Sequence, residues 1–229
     1  MIALARMRLL GFVRTARVLP PLITGLVALS VLYGGGAAQA AEAYGVSAVL
    51  LFPVLAWQTK LLLDTEPDVQ RRLAVVAAGR RAELAGGLLA AGLAGLALVP
   101  VALLLPWLLG GVTGPERAGD LPLPLGLAVG LWAHLLVLPV AVALGALASR
   151  AATNSPLYGL AALVGGVVGG YVFGLKDSVL PWIAPPVLAT ARAATAGPTG
   201  ASVALLTGHA LLWSALALTG YAWLRHRRT

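Results

Sequence analysis

The chain of 229 residues contains no cysteine, and only 10% of its residues are charged. Without cysteine there are no disulfide bonds, no thiol catalysis and no cysteine-ligated metal sites. Soluble domains carry roughly 25% charged residues. A soluble fold of this length could not hide the 59% of residues that are hydrophobic. We therefore expect lipid to be the solvent of this chain.

Long apolar runs indicate helices rather than a barrel. Strands of a membrane barrel alternate apolar and polar residues over about ten positions, whereas a helix needs about twenty apolar residues to cross the bilayer. The runs in this chain have the length of such helices. The sequence predicts one all-α transmembrane domain over residues 1–229 with six spans. The spans are expected at residues 18–33, 46–63, 84–109, 123–148, 156–175 and 201–224.

The basic residues predict the orientation of these spans. Thirteen of the 16 Lys and Arg residues fall on one side of the membrane when six spans are drawn. The positive-inside rule then places both termini in the cytoplasm. The net charge of +8 comes from basic residues that cluster at the span ends, where membrane topology accounts for them. No nucleic-acid partner is therefore expected. Arginine outnumbers lysine 14 to 2, as in GC-rich bacterial genomes, and we expect a multi-pass protein of a bacterial inner membrane.

The N-terminal segment, residues 1–17, carries four arginines among apolar residues. This pattern predicts an amphipathic helix on the inner membrane surface. Farther along, Ala38-Gln39-Ala40 resembles the small-residue cleavage site of a secretory signal. Five further spans do not require a removable leader, so we expect no cleavage there.

The chain also lacks the residues that usually couple a transporter to an ion gradient or to nucleotide hydrolysis. No acidic residue lies in the middle of a predicted span, although proton- and ion-driven carriers use buried ionisable groups. The Gly-x-x-x-x-Gly-Lys-[Ser/Thr] phosphate loop is absent as well. We therefore expect no catalytic residue, no bound metal and no cofactor in this chain, and an external source of energy for any directed work.

The polar segment at residues 64–83 predicts a short helix. Thr65 can cap it, Pro67 suits its first turn and Asp68 completes a capping pattern. Gly79 can end the helix because glycine adopts a left-handed conformation readily. Its apolar face consists of Val69, Leu73 and Val76. Such a helix either docks on a cytoplasmic partner or lies at the inner surface, held by lipid headgroups.

The layout resembles the membrane subunit of ABC-2 type (type V exporter-like) ABC transporters. That family has an amphipathic helix before span 1, a coupling helix between spans 2 and 3, and a re-entrant segment before span 6. The likeness is closest where Glu66 matches an acidic position, residues 73–76 an apolar turn and residues 79–81 a small-basic-basic ending. The family's Gly-Thr step is absent, with residues 69–70 near its place.

This resemblance implies a separate ABC ATPase that binds ATP and Mg and receives residues 64–83 as a coupling helix. It also implies a homodimer, or a heterodimer with a related permease, and a re-entrant segment at residues 176–200. The expected ATPase-docking residues are Glu66, Asp68, Gln70, Arg71, Arg72, Leu73, Val76, Arg80 and Arg81. Of these, Arg71 and Arg72 are the preferred partner contacts.

Glycines in span 5 recur at the small-x-x-x-small spacing that lets helices approach closely. They are Gly165, Gly166, Gly169, Gly170 and Gly174. The resemblance places span 5 at a dimer interface, and packing within the chain is the alternative. Trp132 and Trp213 lie deep in spans 4 and 6, where they either line a path for an apolar substrate or pack against lipid and the core.

Three further polar residues, His134, Ser202 and His209, lie within predicted spans. His134 and His209 could bind a metal or move protons, but without cysteine or carboxylate ligands nearby we expect hydrogen-bonded packing residues. The triplet ending at Ser202 resembles the Gly-x-Ser of rhomboid-like proteases. His209 lies two turns farther along the same helix, whereas those proteases take their histidine from another span, so protease activity is not expected.

Together these patterns predict the permease subunit of an ATP-driven exporter of an amphipathic or hydrophobic substrate. One alternative is a polytopic membrane protein that acts in assembly and transports nothing. The other is a secondary carrier of apolar solutes, since some carriers bind such solutes without buried ionisable groups.

Overall fold

A computed structural model describes residues 1–117 and 119–227, so Arg228 of the basic C-terminus lies outside the described residues. Eleven helices and two short strands make up this part of the chain. The helices are α1 (Ile2–Arg14), α2 (Leu19–Gly34), α3 (Ala40–Leu63), α4 (Asp68–Ala78), α5 (Arg80–Leu96), α6 (Leu98–Leu108), α7 (Leu123–Leu147), α8 (Arg150–Thr153), α9 (Pro156–Phe173), α10 (Val187–Ala196) and α11 (Gly200–His226). The strands are β1 (Ala38–Gln39) and β2 (Val112–Thr113).

Within the described residues, five to six helical segments are long and apolar enough to cross a membrane. Four of them are α3, α7, α9 and α11, and the fifth is formed by α5 and α6 together over 29 residues. The sixth is the pair α1 and α2, which is bent by 73° at the short break before Leu19. The sequence predicted an all-α chain with six spans; the structure confirms a nearly all-α chain with five to six helices of membrane length and adds two short strands.

The centre of the bundle is the contact between α3 and α7. In each of them 61% of the most apolar window is buried, against 17% in α9 and α11. Small residues bring the two backbones together: a Cβ atom added at Gly130 would lie 2.6 Å from the Tyr44 ring, and one at Gly145 would lie 2.3 Å from the carbonyl oxygen of Ala56. Close approach through glycine is the packing mode expected of helices in lipid.

The two ends of the bundle differ in charge. At one end of the bundle, α3, α7 and α11 end and α5 and α9 begin; we call this the basic end. We call the opposite end the distal end. The described Lys and Arg residues of the basic end are Arg6, Arg8, Arg14, Arg17, Lys60, Arg71, Arg72, Arg80, Arg81, Arg150, Arg225 and Arg227. The distal end has Arg117, Lys176 and Arg192.

At the distal end, β1 pairs in parallel with β2, so that the residue preceding α3 is joined to the loop after α6. The loop continues to Asp120, whose carboxylate accepts backbone N–H groups from Arg117 and Glu116, both at 2.8 Å. These two hydrogen bonds hold the pKa of Asp120 below its ordinary value because they favour the ionised form.

The predicted re-entrant segment, residues 176–200, contains α10. Ten residues are too few to cross the bilayer, and the helix packs sideways against α3. Its buried residues are Val187, Thr190 and Ala194. A Cβ atom added at Gly45 of α3 would lie 2.9 Å from the Cβ atom of Ala194. The segment is therefore joined to the bundle by helix packing.

Two helix starts differ from the predicted spans. Helix α3 begins at Ala40 rather than near residue 46, because the Gln39 side chain caps it by accepting the Ala41 N–H at 3.3 Å. Helix α5 begins at Arg80 rather than near residue 84, because only Gly79 separates it from α4. Both helices therefore extend beyond the purely apolar residues that defined the prediction.

Candidate functional site

Helix α4 stands between two membrane-length helices at the basic end. Four residues connect it to α3, and Gly79 alone connects it to α5. Gly79 has a φ of +86°, which other residues rarely adopt, and it ends α4 as predicted. The predicted cap is wrong: the Thr65 hydroxyl donates to the carbonyl oxygen of Leu61 at 2.8 Å, so it completes the end of α3, and Pro67 precedes α4 without a side-chain cap.

One face of α4 is apolar and open. Val69, Leu73 and Val76 are 69%, 62% and 86% exposed, respectively. They recur at helical spacing, and Ala74 on the opposite face is buried. We call Val69, Leu73 and Val76 the α4 stripe. An exposed apolar stripe on a helix outside the bundle is a surface that another molecule or lipid can cover.

Behind α4 lies a buried group of charges, the ion cluster, formed by Arg8, Glu66, Glu83 and Arg225. Arg8 Nη2 lies 2.7 Å from Glu66 Oε2. Arg8 also donates to the carbonyl oxygen of Glu83 at 3.0 Å and pairs with the Glu83 carboxylate. The other oxygen of that carboxylate pairs with Arg225, whose Nη1 lies 3.1 Å from the hydroxyl of Tyr221.

The ion cluster connects four parts of the chain. Its members belong to α1, to the link between α3 and α4, to the first turn of α5 and to the last turn of α11. All four side chains are less than one-tenth exposed. Two positive and two negative charges compensate one another, which a buried group requires because an unpaired ion there is strongly unfavourable.

A second set of contacts fixes the end of α3. The Asp64 carboxylate pairs with Lys60 at 2.7 Å and accepts the backbone N–H of Arg150 at 2.7 Å. The carbonyl oxygen of Asp64 accepts a hydrogen bond from Arg17 at 2.9 Å. Asp64 and Glu66 therefore anchor the chain just before α4, and Glu83 anchors it just after.

Of the residues predicted to contact an ATPase, some lie at the surface and others in the interior. Glu66 faces inward and pairs with Arg8. Arg71 is half-buried, and its guanidinium lies 3.2 Å from the Asp68 carboxylate. Arg80 borders a cavity between α4, α5 and α11. The remaining predicted residues, all exposed, are Asp68, Gln70, Arg72, Leu73, Val76 and Arg81.

The sequence reasoning missed Arg8, Glu83 and Arg225 as partners. These residues are separated by 75 and 142 positions along the chain, so no local pattern relates them. One signal was available: Arg8 lies on the same face of α1 as the buried Ala5 and Phe12. An arginine inside an apolar stripe requires an acidic partner from another element.

The glycines predicted to bring helices together fall on different sides of α9. A Cβ atom added at Gly166 would lie 2.3 Å from Leu144 of α7, and one at Gly170 would lie 3.3 Å from Pro185. Gly165 has open space around it, and Gly169 meets only Phe173 of its own helix. Gly174 lies just past the C-terminus of α9 and is buried.

The two tryptophans proposed for a substrate path lie at different sites. Trp132 of α7 donates to the Thr207 hydroxyl at 3.0 Å and lines a groove between α7 and α11. Trp213 of α11 donates to the carbonyl oxygen of Ile183 at 3.1 Å and fixes the segment before α10. Trp213 does not line that groove.

Both span histidines are hydrogen-bonded, as predicted. His134 is buried between the carbonyl oxygen of Gly130 at 2.8 Å and the hydroxyl of Ser47 at 3.3 Å. His209 lies 3.1 Å from the carbonyl oxygen of Trp182, and Ser202 bonds within the cap of α11. Across residues 1–117 and 119–227 no group of three His, Asp or Glu side chains could hold a metal.

No family model, curated protein or solved structure matches the chain. Its function therefore has to be inferred from its own geometry. That geometry offers a short exposed helix whose two flanks are fastened by buried charges to the first and last helices of the chain. Ion pairs therefore link both flanks of α4 to α1, α5 and α11, an arrangement suited to transmitting force.

Proposed function

We propose that this chain is the membrane subunit of an ATP-driven, ABC-2 type exporter. Separate ATPase subunits would bind ATP and Mg and hydrolyse the nucleotide. The observation that carries the proposal is α4, which has an exposed apolar stripe and flanks held by buried ion pairs. The arrangement of helices and the charge asymmetry between the two ends support it.

In this proposal the ATPase seats α4 and moves it during the nucleotide cycle. The ion cluster would make α1, the start of α5 and the end of α11 move with α4. Two copies of the chain, or one copy and a related permease, would form the transporter in a bacterial inner membrane. The basic end, with both termini, would face the cytoplasm.

Two apolar grooves on the sides of the bundle support a hydrophobic or amphipathic cargo. One, of about 320 Å3, lies between α2, α3 and α9 and includes Trp57 and Leu163. The other, of about 340 Å3, lies between α7 and α11 and includes Trp132 and Leu211. Both open on the sides of membrane-length helices, where a lipid-like molecule could enter directly from the bilayer.

The positions of the carboxylates favour an exporter driven from outside over an ion-coupled carrier. Within the described membrane-length helices, the acidic residues are Glu42 and Glu83, each in the first turn of its helix. Neither lies at mid-membrane depth, where coupling carboxylates of carriers usually stand. A purely structural role in assembly is the remaining alternative, and recovery of an ATPase separates it from export.

The first test places a charge on the α4 stripe. Val76→Glu should lower recovery of the proposed ABC ATPase partner by roughly tenfold, because a charge enters the apolar contact. Val179→Glu is the matched control, since Val179 is 91% exposed at the distal end. The measurement is co-purification from detergent-solubilised membranes. No ATPase bound to the wild-type chain, or equal recovery with both variants, would contradict the proposal.

A second test concerns orientation and uses the absence of cysteine. Val76→Cys should react with a membrane-impermeant maleimide only after cells are permeabilised, and Val179→Cys should react in intact cells. The wild-type chain, which has no thiol, is the background control. Labelling of Val76→Cys in intact cells would show that α4 faces the cell exterior. A cytoplasmic ATPase could then not reach it, which would contradict the proposal.

A further inference from the structure

A cavity of about 290 Å3 opens at the basic end between α4, α5 and α11. Arg80 and Arg81 border it from the first turn of α5, and Arg225 borders it from α11. Its apolar wall is formed by Val75, Leu84 and Ala222. The cavity therefore joins a cationic rim to an apolar wall at the point where a membrane-length helix begins.

The charge of this rim is not balanced by the acidic residue beside it. Glu83 is already paired with Arg8 and Arg225. In the described part of the chain no carboxylate pairs with Arg80 or Arg81, both of which are exposed. Arg80 Nη1 also lies 3.1 Å from Nδ1 of His226, which borders the cavity and brings no negative charge. The charge of both guanidinium groups is therefore still available to an anion, and guanidinium binds phosphate oxygens in a bidentate manner.

The backbone adds to this preference. In α5, Glu83 is the first residue whose N–H finds a backbone acceptor, the carbonyl oxygen of Gly79 at 3.1 Å. The N–H groups of Arg80, Arg81 and Ala82 have no backbone acceptor among the described residues. Orphan N–H groups and the helix dipole make this end of α5 favourable for a negative group.

We propose that this cavity binds the phosphate of an anionic phospholipid. Arg80 and Arg81 hold the phosphate, and Val75, Leu84 and Ala222 receive the beginning of an acyl chain. The apolar wall decides between a lipid and a free phosphate, because a soluble phosphate compound gains nothing from it. Basic pockets between helices at the cytoplasmic surface are a recognised setting for lipid headgroups.

The test measures binding of defined lipids to the purified full chain in detergent by native mass spectrometry. Phosphatidylglycerol should bind roughly tenfold more tightly than phosphatidylcholine. The double variant Arg80→Gln/Arg81→Gln should lose most of that preference. The matched control Arg14→Gln/Arg72→Gln removes the same charge from exposed positions of the same end outside the cavity, and it should keep the preference.

A second variant, Ala222→Phe, narrows the cavity without changing any charge and should also weaken phosphatidylglycerol binding. The melting temperature without added lipid checks that each variant is folded. Equal losses in the cavity and control variants would overturn the site, because attraction would then be diffuse. Inorganic phosphate displacing phosphatidylglycerol at similar affinity would overturn the lipid assignment. No ATPase takes part, so this result is independent of the exporter proposal.

Discussion

Glu83→Gln should be the most destabilising single substitution at the basic end. The carboxylate is 1% exposed and pairs with both Arg8 and Arg225. Glutamine keeps the size of the side chain but leaves two buried guanidinium groups without their shared counter-charge. Removing one partner of a buried ion pair costs about 3–5 kcal/mol. A large fall in the melting temperature of the detergent-solubilised protein is therefore expected.

Glu42→Gln is the matched control for this substitution. Glu42 also stands in the first turn of a membrane-length helix, but its side chain is exposed. Exposed charges contribute roughly 0–1 kcal/mol, so the melting temperature should barely change. Arg225→Gln should be less harmful in the Glu83→Gln background than alone, because the two residues share one interaction. Similar melting temperatures for the Glu83 and Glu42 variants would show that the ion cluster does not hold the helices together.

Gly145→Ala should destabilise the centre of the bundle. The new Cβ atom would lie 2.3 Å from the carbonyl oxygen of Ala56 and 2.6 Å from the Cβ atom of Thr59. Because the nearest obstacle is backbone, α3 and α7 would have to separate. Overpacking of this kind costs about 1–3 kcal/mol and occasionally more. Thermal unfolding in detergent should detect the loss, and Gly145→Val should enlarge it.

Gly165→Ala provides the comparison, because nothing lies within 4 Å of the added Cβ atom. Both positions are glycines inside membrane-length helices, so they differ in surroundings rather than in chemistry. The Gly165 variant should unfold at the wild-type temperature. A loss at Gly165 equal to that at Gly145 would mean that a second copy of the chain covers this face of α9. No loss at Gly145 would refute the close α3–α7 contact.

The helices were predictable because their signals are local. A long apolar run needs no knowledge of its neighbours to indicate a membrane helix. Helix α4 was likewise predictable from its apolar spacing and from Gly79, whose positive φ the structure confirms. The start of α3 was missed because its cap depends on Gln39, a residue that the hydropathy pattern does not distinguish.

The arrangement around α4 could not be predicted, because it depends on which helix ends meet. The sequence predicts Glu66 as a surface residue of a docking helix. In the structure its pairing with Arg8 turns it inward. Helix α10 is a similar case: its place beside α3 depends on the small residues Gly45 and Ala194 approaching each other, and nothing in either local sequence identifies the other.

The two junctions of α4 differ in length. Four residues join it to α3, whereas a single glycine joins it to α5. A four-residue tether can change length by altering several dihedral angles, but a one-residue joint can pivot and hardly stretch. The four-residue link, however, is held by the ion pairs of Asp64 with Lys60 and of Glu66 with Arg8. Those pairs would have to break before the link could lengthen, so the junction with α3 resists extension through charge pairing and the junction with α5 through bond geometry.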